Sequence, residues 1–293
     1  MYDPSSRATI TREVIGAGTR SGRVDGRMST TQVPVGELLK TWRKTRRYSQ
    51  LELANRAEIS QRHLSFVESG RSVPSREMLL RIARHLEVPQ RERNRLLVAA
   101  GFAPVYGERR FDDPAFLPVR ATVERLLGAY EPYPALAVDR HWNMVLANRS
   151  VAVLLGGVSP ALVEAPVNVL RASLHPEGLA PNIVNLTQWR EHVLSRLASQ
   201  IDASADPVLD TLYDELARYP SPLEAAAPSR AEDALTSLAV PLVLEHGGRT
   251  LRFLSTTTVF GTPVDVTLAE LAIESFLPAD QATSRALDEL VTR

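Results

Sequence analysis

The chain has no cysteine. Disulfides, thiolate zinc sites and iron–sulfur clusters are therefore excluded, which fits a cytoplasmic protein. No apolar run approaches the roughly 18 residues that span a bilayer, and no membrane partner is expected. The first 30 residues lack the apolar core of a secretory signal. Catalytic signatures are missing as well. The six histidines (His63, His85, His141, His175, His192, His246) form no H-E-x-x-H motif and no pair at i, i+4. His175 and His192 show no metal-ligand spacing. There is no G-x-S-x-G elbow, P-loop or kinase set. The chain is expected not to be an enzyme, to have no catalytic residue, to bind no metal and to need no cofactor. No period of 20–50 residues recurs, which excludes a repeat array.

Net charge is also lacking: 34 Lys and Arg balance 34 Asp and Glu. The balance conceals an asymmetry. Residues 1–110 hold 21 Lys and Arg against 11 Asp and Glu, a net of +10; residues 111–293 hold 13 against 23, a net of −10. A basic half implies a polyanionic partner. The length of 293 residues and 44% hydrophobic content suit two domains with separate cores. Residues 1–33 are rich in Gly, Ser, Thr and Arg without periodicity and read as a disordered basic arm. Gly16, Gly18 and Gly22 have the wrong spacing for a dinucleotide fingerprint, and no convincing strand precedes them. Met28 is a candidate start, with Met1–Arg27 an upstream extension.

What is present begins at Val35. Val35, Leu38, Leu39 and Trp42 form one helical stripe. Ser49 followed by Glu52 predicts a capping box and a second helix burying Leu53, Ala54 and Ala57. Glu58-Ile59-Ser60 is a turn, with Ile59 expected to be buried between two helices. Ser60 caps a third helix, which buries Leu64 and Val67 and stops at Gly70. Ser75 caps a fourth, burying Leu79, Ile82, Ala83 and Leu86. Pro89 suits the first turn of a fifth, running to about Ala100. Two short helices joined by a tight turn form the helix-turn-helix, whose second helix presents its N-terminal residues to base edges in the major groove. Here these are Ser60, Gln61, Arg62 and His63, with Phe66 one turn on. Glutamine pairs bidentately with adenine and arginine with guanine, while Phe66 suits a thymine methyl. Gln50, at the positive end of its helix, suits a phosphate and bracing of Gln61. Arg71, Ser72 and Arg76 flank the next helix start, where a phosphate fits. A solvated basic face or a protein-binding bundle is the competing reading.

These residues resemble the phage-repressor, or XRE, family of helix-turn-helix regulators. The resemblance rests on Ser49-Gln50-x-x-Leu53-Ala54, Ile59-Ser60, Val67-Glu68-Ser69-Gly70, Pro74-Ser75 and Leu86. It implies base contacts at Gln61, Arg62 and Phe66 and phosphate contacts at Gln50, Arg71 and Arg76. It also implies a structural ion pair between Arg43 and Glu68, agreeing with the cost of leaving either charge alone near a core.

Gly101–Pro114 reads as a connection, with the linker set at residues 103–114 and the helix-turn-helix domain at 34–102. A helix follows at about Ala115–Tyr130. Leu136–Asp139 and Asn143–Ala147 suit a hairpin around Arg140-His141-Trp142. Helices dominate from Ser150 to Tyr219, broken by prolines, and Pro220–Ala231 reads as a loop. Val240, Leu242 and Leu244 alternate up to Gly247-Gly248, a hairpin signal, and Leu251, Phe253 and Ser255 alternate on the return. Val264–Phe276 is read as strand, although Leu268-Ala269-Glu270-Leu271 favours helix by propensity. Gln281–Val291 is a final helix.

The stretch ALAVDRHWNMVLAN, residues 135–148, resembles the opening hairpin of a PAS fold. The longer segment 111–278 is similar to the ligand-binding domain of the MmyB-like transcription regulators. It shares Tyr133-Pro134-Ala135-Leu136, Asn168-Val169-Leu170-Arg171, Leu174-His175-Pro176, Asn185-Leu186-Thr187-Gln188-Trp189-Arg190 and Phe253-Leu254-Ser255-Thr256-Thr257-Thr258. The resemblance implies a PAS-like domain over residues 115–293 that binds a small apolar effector, with a fatty acid as the example, and helps the chain dimerise. Candidate wall residues are Trp142, Leu174, Trp189, Leu254 and Phe260. Candidate head-group contacts are Arg171, His175, Arg190 and Thr257. Competing readings are plain core for the tryptophans, surface or salt-bridged arginines, and a turn cap for His175. Haem held through His175 or His192 is a lesser alternative.

The fold class expected is therefore α+β in two domains, a lambda-repressor-like all-α bundle followed by a PAS-like antiparallel sheet with flanking helices. The expected function is a homodimeric repressor on a pseudo-palindromic double-stranded DNA operator, controlled by a small apolar ligand. The alternative is a regulator whose C-terminal half only dimerises or binds protein.

Overall fold

The computed structural model describes residues 33–220, 240–261, 263 and 265–291. The arm expected over residues 1–33, with its glycines, and the loop at 220–231 lie almost wholly outside the described residues. Among the described residues five helices build the N-terminal unit: α1 (Val35–Thr45), α2 (Gln50–Arg56), α3 (Gln61–Glu68), α4 (Arg76–His85) and α5 (Gln90–Ala99). Their starts are set by local chemistry. The Glu52 amide donates to the Ser49 hydroxyl at 3.1 Å, and the Ser49 amide donates to the Glu52 carboxylate at 2.7 Å, a complete capping box. Ser60 and Ser75 cap α3 and α4 by accepting from the His63 and Met78 amides. Pro89 sits at the N-cap of α5, one residue before the first turn.

The apolar stripes converge on one core containing Leu39, Trp42, Leu53, Leu64, Val67, Leu79, Ile82 and Leu86. Ile59 departs from its expected burial. Glu58 takes a left-handed φ of 51° in the turn, and Ile59 packs half-buried at the rim of the core. Helices α1 and α3 approach closely at Gly36, where a Cβ would lie 2.4 Å from the Val67 carbonyl oxygen.

The C-terminal unit opens with a 3-10 turn (Pro114–Phe116) and α6 (Leu117–Ala129). Strands β1 (Ala135–Val138) and β2 (Met144–Ala147) form the expected hairpin. Helices α7 (Val151–Leu155), α8 (Val169–Leu174), α9 (Leu186–Ser204) and α10 (Pro207–Ala217) follow. The chain then runs through β3 (Leu242–His246), β4 (Arg249–Val259), a helical turn α11 (Val266–Ala269), β5 (Ala272–Pro278) and α12 (Gln281–Val291). The reading of Val264–Phe276 as one strand is corrected in its first half. Asp265 caps α11 by accepting from the Thr267 amide, and local propensity wins until Ala272.

All five strands form one antiparallel sheet in the order β2-β1-β5-β4-β3. Side chains alternate between its faces. Ala135, Ala137 and Ile273 face α6, with Val123 and Leu127 opposite. Leu136, Val138, Leu244, Leu251 and Phe253 face the other way, into the larger core built with α7 to α10 and α12. Register places Glu274 opposite Leu136 on one side and Thr257 on the other, so this acid lies on the larger-core face.

The two units touch. The Arg46 guanidinium at the end of α1 donates to the Asp202 and Ala203 carbonyls at 2.6 and 2.8 Å. Arg91 on α5 grips Glu270 with 2.8 Å contacts through Nε and Nη2 and also bonds Glu108. The segment expected to be a linker carries contacts of its own. Asn94 bonds the backbone of Val105 and Tyr106, and Gly107 bridges to Asp265 and Val266. No helix among the described residues is long and apolar enough to cross a membrane.

Candidate functional site

Two sites stand out, one on each unit. On the first, Gln61 and Arg62 are the opening residues of α3, and both are exposed. The Ser60 cap leaves them at the positive end of the helix. Phe66, one turn on, is half-buried, and the guanidiniums of Arg62 and Arg71 lie 5.4 and 5.9 Å from its ring centroid. Contacts of that length hold both cations beside the ring without consuming their hydrogen-bond donors. The amides of Arg71 and Ser72 fold back onto the Phe66 carbonyl at 2.8 and 3.2 Å, which fixes the loop behind α3. Arg76 is exposed at the start of α4, beside its cap Ser75. None of Arg62, Arg71 and Arg76 forms an ion pair among the described residues. Ser60, Gln61, Arg62, Arg71 and Arg76 thus present one exposed polar and cationic surface, with Ser72 half-buried among them.

Two residues of the expected set differ. Gln50 Nε2 donates to Glu68 Oε2 at 2.8 Å, so its amide buttresses an internal pair rather than Gln61. His63 is half-buried, and its Nε2 is buried without a hydrogen-bond partner. The internal pair itself is bidentate: Arg43 Nε and Nη2 reach the two Glu68 oxygens at 2.7 and 2.9 Å. The Glu68 hydrogen bond raises the Arg43 pKa above its ordinary value. The surface also holds two apolar residues that sequence reasoning passed over. Val73 is 75% exposed between Arg71 and Arg76, and Leu51 is 52% exposed beside Gln50. Leu51 lies outside the Leu53–Ala54–Ala57 stripe, which is the signal that could have marked it.

The second site is an apolar cavity of about 70 Å³ between the sheet and α7 to α9. Its wall includes Leu136, Trp142, Met144, Leu154, Leu170, Trp189, Val193 and Phe276. The polar side chains of its lining are Ser173, Arg196, Ser255 and Glu274, with the indole N–H groups of the two tryptophans already engaged. Trp142 Nε1 donates to Gln200 at 2.7 Å, and Trp189 Nε1 to Ser173 at 2.9 Å. Trp142 has a left-handed φ of 66°, a conformation that bulky residues rarely adopt. The bond to Gln200 and the Arg196 guanidinium, 4.9 Å from the ring centroid, hold the Trp142 indole in place.

Of the five expected wall residues, Trp142 and Trp189 line this cavity. Leu174 is buried behind it in the same core. Leu254 is on the wrong face: strand alternation sends Phe253 and Ser255 toward the cavity and Leu254 away from it. Phe260 packs with the α6 cluster. The expected head-group residues are otherwise engaged. Arg171 is paired bidentately with Glu215 at 2.7 Å, and that partner raises its pKa. His175 Nδ1 accepts from the Glu177 amide at 3.0 Å, a turn cap, and its ring meets Tyr219 edge-on. Arg190 donates to the Ala217 carbonyl at 2.6 Å. Thr257 faces the neighbouring cleft and bonds both Glu274 and Arg196.

The residues missed are Arg196 and Glu274. Arg196 Nη1 and Nη2 meet the two Glu274 oxygens at 3.2 and 2.9 Å. With Trp142 they form the wall between the apolar cavity and a second cleft of about 320 Å³, with several charged residues in its lining, that reaches Arg91 at the junction of the units. His192, one turn before Arg196, has its pKa lowered by burial and by that cation.

Two stretches match family models. Residues 34–96 match the helix-turn-helix domain, and residues 119–290 match the MmyB-like transcription regulator ligand binding domain. No curated protein matches the chain. A helix-turn-helix joined to a ligand-binding domain defines a DNA-binding transcription regulator. The chain belongs to the family of MmyB-like transcription regulators.

Proposed function

We propose that the chain is a homodimeric XRE-type repressor. In this reading residues 34–102 read the operator and residues 115–293 respond to a fatty-acid-like or other apolar effector. The observation that carries it is the exposed Gln61–Arg62 pair at the capped start of α3, beside Arg71 and Arg76, which have no acid partner among the described residues. Amide and guanidinium groups in that position suit adenine and guanine edges, while Arg71 and Arg76 suit phosphates. A two-fold dimer sets its recognition helices about 34–36 Å apart, one turn of DNA. Occupancy alone blocks a promoter, so repression demands least of the protein. The sheet order β2-β1-β5-β4-β3, with α6 on one face and the larger helical layer on the other, supports the PAS-like reading of the sensing half.

Effector binding acts on DNA affinity only as far as it favours one arrangement of the two units. Arg46 and Arg91 are the side chains through which that arrangement is held. The cavity bears on the choice of effector. Its 70 Å³ is well below the roughly 300 Å³ of ordinary ligand pockets, so a ligand must widen it. The half-buried, unbranched Met144 is the most adaptable part of the wall. This small volume also favours the second reading, a C-terminal half that only dimerises or docks protein. Gel-shift titration of the Gln61→Ala/Arg62→Ala variant and native mass spectrometry of the full chain separate the readings. Lost operator preference and a bound apolar molecule are expected. Unchanged DNA binding contradicts the first half of the proposal, and a chain that stays empty when offered apolar ligands contradicts the second.

A further inference from the structure

The polar end of the apolar cavity carries a chemical instruction. Glu274 sits on the central strand β5 and is 3% exposed. A carboxylate at that depth is tolerated only when its charge and lone pairs are met. Arg196 meets the charge at 2.9 and 3.2 Å, Thr257 Oγ1 donates at 2.8 Å, and Ser255 Oγ lies at 3.4 Å. The guanidinium is equally committed. It also donates to Thr257 Oγ1 at 2.8 Å and lies over the Trp142 ring. This end of the cavity is therefore polar but electrically balanced. Ser173, whose hydroxyl accepts from Trp189, keeps a proton to donate and a second lone pair.

A ligand bringing a free carboxylate here adds a second negative charge to one cation already neutralised, beside a fixed acid and in a partly buried site. A ligand bringing an ammonium repeats the problem with Arg196. A hydroxyl, ester or amide meets donors and acceptors without disturbing the pair. Resting on the ligand-sensing reading above, we infer that, of the apolar effectors it leaves open, this chain takes one with a neutral polar head rather than a free fatty acid. Glu274 is the residue that excludes carboxylate heads.

Three probes of equal chain length test this on the full chain after removal of bound lipid: 1-decanol, decanoate and decylamine at pH 8, by calorimetry. The native protein should bind decanol about tenfold or more tightly than either ion, the scale of an uncompensated charge in a partly buried site. In Glu274→Gln, Arg196 loses its counter-charge, and decanoate should gain about tenfold or more while decanol changes little. In Arg196→Gln the freed acid should shift preference toward decylamine. Decanoate binding the native chain as tightly as decanol overturns the inference while leaving ligand sensing intact; so does a folded Glu274→Gln with an unchanged ratio. Failure of all three probes to bind overturns the ligand-sensing reading and this inference with it. The native-chain comparison decides the matter even where a variant does not fold.

Discussion

Arginine does opposite work in the two halves. In the N-terminal bundle Arg43 is turned inward to a buried glutamate, while Arg62, Arg71 and Arg76 face solvent without an acid partner among the described residues. In the C-terminal half Arg149, Arg171, Arg196 and Arg249 each hold a carboxylate. At the start of α3 and α4 the bundle keeps cations available to a polyanion, while Arg91 and Arg95 on α5 hold carboxylates. The sheet domain pairs those four of its arginines with its own acids. The same residue type is an interface in one half and a structural clamp in the other, and the partner decides which.

Removing a clamp should cost most. Arg43→Met leaves Glu68 buried and uncompensated, and breaking such a pair costs about 3–5 kcal/mol. The bundle should melt well below the native chain in a thermal scan, while Arg43→Met/Glu68→Met together recovers much of the loss. Removing interface groups should leave folding intact and strike binding instead. Gln61→Ala and Arg62→Ala are each expected to lower specific operator affinity by about 1–3 kcal/mol in gel-shift titrations, with no change in melting. A common melting penalty for these variants and Arg43→Met would erase the contrast. Ser60→Ala, which removes the α3 cap, sits between the classes. It should cost about 1 kcal/mol of stability by chemical denaturation and weaken DNA binding in step.

The smallest effect is on pH. In the C-terminal half the arginine partners hold Glu131 and Glu215 below the usual carboxylate range. Asp206 is also lowered, because hydrogen bonds from His141 and the Val208 amide outweigh its burial. Carboxylates so lowered stabilise the fold above their unfolded pKa, and that contribution disappears as pH falls through the folded value. Burial and Arg196 lower the His192 pKa below 6.5, so its neutral form is the one the fold favours. Protonation in the unfolded chain begins near pH 6.5, and stability should decline from there downward. Hydrogen exchange at pH 7.5 and 5 should therefore show protection lost in α9 and β5 sooner than in α1 to α4. Equal loss in both halves, or earlier loss in the bundle, contradicts this.

The bundle was legible in the sequence because its determinants are local. Ser49, Ser60 and Ser75 each accept a bond from an amide three residues on, and the apolar stripes repeat within one helix. The cavity was less legible because its polar end is assembled at long range. Arg171 meets Glu215 and Arg196 meets Glu274 across 44 and 78 residues, and neither pairing leaves a mark in local spacing. Two parts were recoverable. Alternation through Phe253 and Ser255 already pointed Leu254 away from the cavity, and Arg196 lies two helical turns after Trp189 on one face of α9. The reading of Val264–Phe276 as a single strand failed because Asp265 supplies a cap at its start.

The claim on which the rest depends is that the start of α3 reads bases. Sequencing the duplexes that the full chain selects from a random pool, for the native protein and for Arg62→Ala, tests it most directly. The account predicts a two-fold motif for the native chain and relaxed preference at one symmetric pair of positions in the variant. An identical motif from both proteins, or no motif from the native chain, would contradict it.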